Sequence, residues 1–570
     1  MSKSKAGLGL GSPKGSKDAE QPVEVELYNV TLAESAEQRE RDMTFGEALK
    51  ADRRLIMYSI GFSGTIIMEG YGLALMTYLF SLNAFNSKYG VLQSDGQSYE
   101  VEYIWKVLLP LTAQIGSIIG IFVTTPCTKW FGYKWTTLIM LFFSAALVAM
   151  PFFAPNILIL CVGFFLQGIP WGVFQVVSPA YASEVSTIQL RPILTTWNNL
   201  CWVIGQMLAA AAIKGFSVAF STEWSFRIPF ALQWVFTFLL SIGIWFAPES
   251  PYWYIQKGDI VRGRQAIVKL VRKGDPSMAE EKLALMQHTI QQEHIKDSDV
   301  TRLNKWERIK VMFRGSDARR TEIACIAWMI QAMCGSSIIA WGPKLFQTAG
   351  LSSDDALSVN MALPAAGMVG TLASWWLMAY MGRRSIYFWG LIAMALLLVG
   401  CGGASFAPGT TSGWAAGGVL TVYTLVYDLT VGPICYSIVS EVPSIRYRAV
   451  TLSAARGTYL GSNLVNHFLT PKMLSDGPDG WGLGARTGFV YAVLCVIGAV
   501  YTWFRIPETN GLSARSLDIL FQHGASARQF NNVKAAQYEQ MDREKGGRLT
   551  STVSQNSVFS VHAVSSSKTQ

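Results

Sequence analysis

The 570-residue chain is 51% hydrophobic and 15% charged, well below the roughly 25% charge of an average soluble protein. Its 47 Lys and Arg against 38 Asp and Glu leave a formal net charge of +9, but the basic residues lie in short segments between apolar runs, which argues against a nucleic-acid partner. With 51 Gly, 30 Phe and 19 Trp, the composition is that of a helical membrane protein and excludes a string of soluble domains.

Residues 1–55 are rich in Lys, Ser and Gly and then acidic, and are read as a polar tail. They carry no apolar stretch of the signal-peptide kind, so the first apolar run would itself be the targeting signal. Gly7, Gly9 and Gly11 resemble a nucleotide-binding loop only superficially, since no strand precedes them. Asn29-Val30-Thr31 is a glycosylation sequon expected on the cytosolic side and therefore unused.

A run of about 20 apolar residues crosses a bilayer as a helix. Twelve such runs are predicted, at 56–80, 104–126, 134–153, 157–182, 194–218, 226–247, 322–346, 356–381, 386–407, 414–439, 449–471 and 485–505. The expected fold is all-α, with an amino-terminal six-helix half over 56–250 and a carboxy-terminal one over 321–507. Between them, the loop 251–320 carries 15 Lys and Arg against 9 Asp and Glu, with a helical stretch from Met278 to Ile295. Residues 508–570, polar and ending Ser/Thr-rich, read as a solvated tail.

Basic residues recur at every second loop: Lys50, Arg53 and Arg54, then Lys129 and Lys134, Arg191, the long loop, Arg383 and Arg384, Arg446 and Arg448, and Arg505. The positive-inside rule then puts both termini and the long loop in the cytosol. Lys344 is expected to snorkel near the outer end of the seventh helix, and Asp428 to support a broken helix structurally. The eight cysteines form no C-x-x-C pair and the five histidines no metal spacing. Neither disulfides, a metal, a cofactor nor enzymatic activity is expected, and without a P-loop neither is ATP drive.

The two halves echo each other. Ser183-Glu184-Val185 through Arg191 and Ser440-Glu441-Val442 through Arg448 both read S-E-V-x-x-I-x-x-R, 257 residues apart. Pro248-Glu249-Ser250 returns as Pro507-Glu508-Thr509, and Gly132-Tyr133-Lys134 as Gly382-Arg383-Arg384. A parallel repeat of this kind is the transporter design in which one half rocks against the other. Glu184, Arg191, Glu441 and Arg448 are expected to form a cytosolic gate that latches the halves; the plainer reading makes them topology charges.

These motifs carry a resemblance. Pro248-Glu249-Ser250-Pro251, Pro507-Glu508-Thr509-Asn510-Gly511 and Pro179-Ala180-Tyr181-Ala182-Ser183-Glu184 are similar to elements of the sugar porter family of the major facilitator superfamily. Met68-Glu69-Gly70-Tyr71, Pro170-Trp171-Gly172-Val173-Phe174-Gln175 and Leu194 through Trp202 with Gly205-Gln206 resemble fungal maltose and other α-glucoside permeases. The resemblance spans roughly residues 45–530 and implies a plasma-membrane transporter of an α-glucoside such as maltose, or of a hexose, working by alternating access. It implies substrate contacts at Asn199, Gln206, Gln331, Ser337, Trp341, Tyr436 and Asn463. Of the family's Q-Q-x-x-G-x-N element only Gln331 and Gly335 remain, with Ala332 and Ser337 at the other two positions. Amides donate and accept together, as sugar hydroxyls require; interhelical hydrogen bonding is the competing use of each.

The departures bear on energy coupling. Gly72 stands where proton-coupled members carry Asp, and Ser117 where the α-glucoside permeases carry Glu. Glu69, three residues before Gly72, shares its helix face. Burial would favour its protonated form and Arg456 its ionised one, so Glu69 is the expected proton carrier with Arg456 as its partner. The expected partners are thus a sugar, protons and the lipid bilayer. Two other readings stay open: a carrier of another small metabolite, in either direction, and a sugar sensor with little flux.

Overall fold

In the computed structural model the described residues are 52–92, 99–186, 190–270, 276–301, 313–444, 448–475, 480–510, 512, 514–538, 540 and 541, with isolated positions between 32 and 50. The Asn29 sequon, the 7–11 glycines and the Ser/Thr-rich end lie outside them.

Nine helices among the described residues are long and apolar enough to cross a membrane singly. The longest, Tyr103–Phe153, is two helices meeting at Gly132, whose φ of 82° belongs to the left-handed region that glycine tolerates. Divided there, and with Arg53–Leu79 and Arg448–Leu474 included, the set reaches twelve. In chain order the first is Arg53–Leu79, the second and third share Tyr103–Phe153, the fourth is Ile157–Val185, the fifth Arg191–Ala219 and the sixth Trp224–Phe246. The seventh begins at Gly315–Met333. The eighth is Ser353–Tyr380, the ninth Arg383–Ala404, the tenth begins at Thr410–Leu429, the eleventh is Arg448–Leu474 and the twelfth Thr487–Arg505. Large apolar side chains such as Phe122 and Phe142 point outward, as a helix solvated by lipid tails allows.

The repeat seen in sequence is a repeat in packing. The first helix packs on the fifth as the seventh does on the eleventh, and the second on the fourth as the eighth does on the tenth. The third packs on the sixth, with Trp234 donating to the Ala145 carbonyl, as the ninth does on the twelfth. Across the halves, the fifth meets the eighth and the eleventh meets the second. The second and fourth helices approach closely at Gly116, Gly120, Gly168 and Gly172, where an added Cβ would run into the facing backbone.

Two helices are broken: the seventh, expected to be continuous, and the tenth, at the point beside Asp428 where a break was expected. The seventh stops at Met333, turns through Gly335 at φ 106°, and resumes as Ser336–Ala340 and Gly342–Thr348. The tenth stops at Leu429 and resumes as Val431–Glu441, because Pro433 offers no N–H to continue the ladder. Gln331 spans the two breaks, donating its amide to the Gly432 carbonyl at 2.8 Å.

The loop between the halves folds into Pro251–Gln256, Ile260–Leu270 and Pro276–Thr301, around a small core of Ile255, Ile267, Ala279, Leu283 and Ile290. The segment after residue 508 departs from a solvated tail. Helix Ala514–Gln522 docks on the foot of the seventh helix, where Arg320 pairs with Asp518 at 2.5 Å and Arg319 donates to the Ala525 carbonyl at 2.6 Å. Leu517, Leu520 and Phe521 are buried beneath it.

Candidate functional site at the interface between the halves

Glu69 lies on the first helix among Met68, Tyr71 and other buried side chains, and is itself 5% exposed. Its neighbour is Gln175 on the fourth helix. The Gln175 amide nitrogen donates to Glu69 Oε1, and Arg456 on the eleventh helix donates Nη2 to Gln175 Oε1. One glutamine therefore joins an acid of the first half to a cation of the second. Arg456 also stands 5.3 Å from the ring centre of Trp328 and 4.7 Å from that of Tyr459. Tyr436 meets Trp328 edge-on at 6.1 Å, and Asn463 is within hydrogen-bonding reach of the Tyr459 hydroxyl. The structure thus gathers Glu69, Arg456, Tyr436 and Asn463 in one cluster, and adds Gln175, Trp328 and Tyr459, which sequence reasoning did not select. Gln175 had a signal: it is the polar end of an otherwise apolar stretch.

The expected substrate residues divide. Gln331 donates to Gly432, while its Oε1 is buried without a partner among the described residues. Gln206 is buried, and among the described residues its amide has no bonding partner. The Ser337 hydroxyl is within reach of Tyr491, whose hydroxyl also meets Thr470 at 2.7 Å and donates to Asn466 at 3.2 Å. Asn199 points across the interface instead, donating to Asp428 Oδ1 at 3.2 Å and to Thr371 Oγ1 at 3.4 Å. Trp341 is 2% exposed and stacks on Phe80 with ring centres 5.4 Å apart.

That stack belongs to a layer of contacts between the halves at one end of the bundle, here named the Glu100 end. Lys344 of the second half and Lys106 of the first both pair with Glu100 Oε1 at 2.6 Å. Lys344 is thus an ion-pair partner rather than a snorkelling side chain. Burial alone would raise the Glu100 carboxyl, but Lys344 and Lys106 outweigh it and hold it at about 2. Gln347 donates to the Ser81 carbonyl at 2.9 Å, and Lys214 pairs with Asp354 at 3.3 Å.

At the opposite, Glu184 end, equivalent residues repeat equivalent contacts inside each half. Glu184 accepts from the Tyr133 hydroxyl at 2.5 Å and from Ser250 at 2.6 Å; Glu441 pairs with Arg383, the counterpart of Tyr133, at 3.6 Å. Lys134 donates to the Trp245 carbonyl at 2.6 Å as Arg384 does to that of Trp503 at 2.7 Å. Glu249 accepts from the backbone N–H groups of Tyr133 and Lys134 at the start of the third helix, where an anion is favoured. Burial pushes its carboxyl up, and those N–H groups offset this only in part. The described partners of the expected gate's carboxylates thus lie in their own halves, while the Arg191 and Arg448 side chains and Arg446 lie outside the described residues.

Gly72 and Ser117 have a physical setting. A Cβ on Gly72 would overlap the Trp171 indole, so the space an acid would need is filled by a ring. Ser117 lies where the second and fourth helices meet at Gly172, with its backbone in the path of any Cβ there. All eight cysteines are unpaired, and among the described residues no group of His, Cys, Asp and Glu is arranged to hold a metal.

Comparison with known proteins places this arrangement. Residues 58–521 match the family described as "Sugar (and other) transporter". The chain is 33% identical over 506 residues to maltose permease MAL31 of Saccharomyces cerevisiae, covering 88% of this chain and 81% of the relative. It is 31% identical over 529 residues to the general alpha-glucoside permease of the same yeast, covering 92% and 84%. Among solved structures, the partially occluded inward-open xylose transporter XylE of E. coli superposes with a TM-score of 0.64 at 19% identity, over 81% of this chain and 99% of that one.

Proposed function

Since the chain belongs to the sugar transporter family, we propose that it carries an α-glucoside such as maltose across the plasma membrane by alternating access, coupled to protons through Glu69. The observation that carries the coupling is the Glu69–Gln175–Arg456 chain, because it joins an acid of one half to a cation of the other at the surface along which the halves rock. When the halves part, Gln175 cannot hold both. Glu69 then loses the link to its cation, and its affinity for a proton changes with the conformation.

The α-glucoside assignment rests on the permease likeness over most of the chain. The unmet Gln331 Oε1 and the free Gln206 amide are the groups a sugar hydroxyl would satisfy, with Trp328 and Tyr436 covering its apolar face. The basic segments put both termini and the Glu184 end in the cytosol, so the Glu100 end faces outward and is shut in this conformation. Transport then runs between the halves 56–250 and 321–507, linked by the helical loop 251–320. Glu184 and Glu441, with Arg191 and Arg448, serve as the cytosolic gate by exchanging partners as that end closes.

The test is uptake of labelled maltose into yeast lacking its own α-glucoside and hexose carriers, at acidic and neutral external pH, with and without an uncoupler. Acid-stimulated uptake that collapses with uncoupler, and falls at least about tenfold in Glu69→Gln, is the expected result. Uptake indifferent to pH, uncoupler and Glu69→Gln makes the protein a facilitator. No maltose uptake by a correctly localised chain removes the α-glucoside assignment.

A further inference from the structure

A second buried acid crosses the interface, and the coupling route above does not use it. Asp428 is the next-to-last residue before the break of the tenth helix and is 4% exposed. Its described hydrogen-bond partner is Asn199, from the other half, at 3.2 Å. The eighth helix makes room for it with glycine: a Cβ on Gly367 would come within 2.5 Å of Asp428 Oδ2.

Among the described residues, the charged side chains on the packed elements are committed elsewhere. On the fifth helix Lys214 pairs with Asp354 of the eighth, and Asp355 of the eighth bonds Ser352 at that helix's first turn. On the ninth, Arg383 pairs with Glu441 and Arg384 reaches the Trp503 carbonyl, while Lys344 of the broken seventh holds Glu100. The remaining titratable groups on the fifth, eighth, ninth and tenth helices are hydroxyls and thiols. Tyr387 donates to the Ala327 carbonyl and Tyr423 to that of Cys334; Tyr427, Tyr436, Tyr380, Cys201, Cys401 and Cys435 complete them. Among the described residues, then, no cation pairs with Asp428.

An ionised carboxylate buried with one neutral donor costs several kcal/mol, and protonation removes that cost. The repeat adds a second observation. The 257-residue spacing that relates Ser183 to Ser440 also relates Asn199 to Arg456. Each of these two residues reaches across the interface to a polar side chain on the other half: Arg456 to Gln175 on the fourth helix, Asn199 to Asp428 on the tenth. The two crossings are counterparts, one carrying its acid with a cation and the other carrying an acid with none.

We propose that Asp428 and Asn199 form a second proton-binding site, filled while the fifth helix packs on the eighth and tenth and emptied when rocking parts them. The step is simple protonation: the carboxylate takes one proton from the accessible side and returns it as the acid rehydrates. The proposal rests on the proton-coupled reading for its role in transport, but not for its chemistry. The Asp and Glu that Gly72 and Ser117 replace would thereby have a substitute on the other half.

The test has two arms on the full chain in lipid nanodiscs and proteoliposomes. Infrared difference spectra across a pH step report the C=O stretch of a buried protonated carboxyl. Protons taken up per maltose report coupling, whatever the rate. The band is expected to disappear in Asp428→Asn and persist in Asp428→Glu, and protons per maltose to halve in Asp428→Asn alone. Retention of the band and of the proton ratio in Asp428→Asn overturns the site and leaves Asp428 as an ionised or purely structural group. If the wild-type chain moves maltose without protons, yet the band vanishes in Asp428→Asn, the coupled reading fails while the proton site stands.

Discussion

Position 72 is decided by the Trp171 indole rather than by the chemistry of coupling. A Cβ there meets the ring directly, so Gly72→Ala should cost about 1–3 kcal/mol as overpacking. Gly72→Asp should cost more, because it also buries a carboxyl. A lower melting temperature for Gly72→Ala in nanodiscs, partly recovered when Trp171→Leu is added, is the expected outcome; the two changes should depart from additivity by about 1 kcal/mol. Equal melting temperatures would mean that the indole swings aside. The same residues show what sequence can and cannot reveal. That Gly72 and Ser117 depart from a family pattern is visible in the chain, but that a tryptophan 99 positions along fills the gap is a tertiary fact. Glu69 and Arg456 were legible because charges in apolar runs stand out. Gln175 between them was not singled out, since an amide in a helix has many ordinary uses. Asn199 was legible as polar and interior, yet its partner Asp428 lies on the other half and no spacing rule connects them.

Among the elements, the two broken helices and the Glu100 hairpin organise the closed end. The breaks were written in Gly335 and in Gly432-Pro433; the second was expected beside Asp428, but hydrophobic periodicity reads straight through a kink, so the seventh segment looked continuous. The hairpin is a pair of two-residue strands, Val91–Leu92 and Tyr99–Glu100, too short to show as strands in sequence. It delivers Glu100 to Lys344, and that ion pair lets the first half hold the resumed seventh helix. Its pH dependence follows from the depressed carboxyl. A group whose ionised form is held at about 2 contributes fully above its ordinary range near 4.5 and loses its contribution only as the pH falls through about 2. Closure of this end should therefore not vary between mildly acidic and neutral pH. Lys344→Ala should favour the open state roughly fivefold, the equivalent of about 1 kcal/mol for a partly exposed pair. Spin-label distances between the halves at this end, measured at both pH values, check both statements; a distribution that titrates between them would assign the pH response of transport to this hairpin rather than to the buried acids.

For the whole molecule, the bundle is held by contacts of two kinds. Those within a half repeat faithfully: Tyr133 with Glu184 as Arg383 with Glu441, Lys134 with Trp245 as Arg384 with Trp503. Those between halves at the Glu100 end have no matching set within either half, because they belong to one position of a moving part. Alternating access requires the second kind to break in every cycle while the first persists. Ser81 and Gln347 sit on opposite sides of the closed end, 2.9 Å apart from carbonyl to amide. A short reducible thiol cross-linker between Ser81→Cys and Gln347→Cys should abolish maltose exchange, and reduction should restore it. Trp130→Cys with Lys257→Cys, where the Lys257 ammonium meets the Trp130 carbonyl at 3.1 Å between the first half and the linking loop docked on it, should tolerate the same cross-link. Exchange that survives the first cross-link would mean that sugar passes without this end opening, and the rocking of two halves would have to give way to a smaller motion around the broken seventh helix.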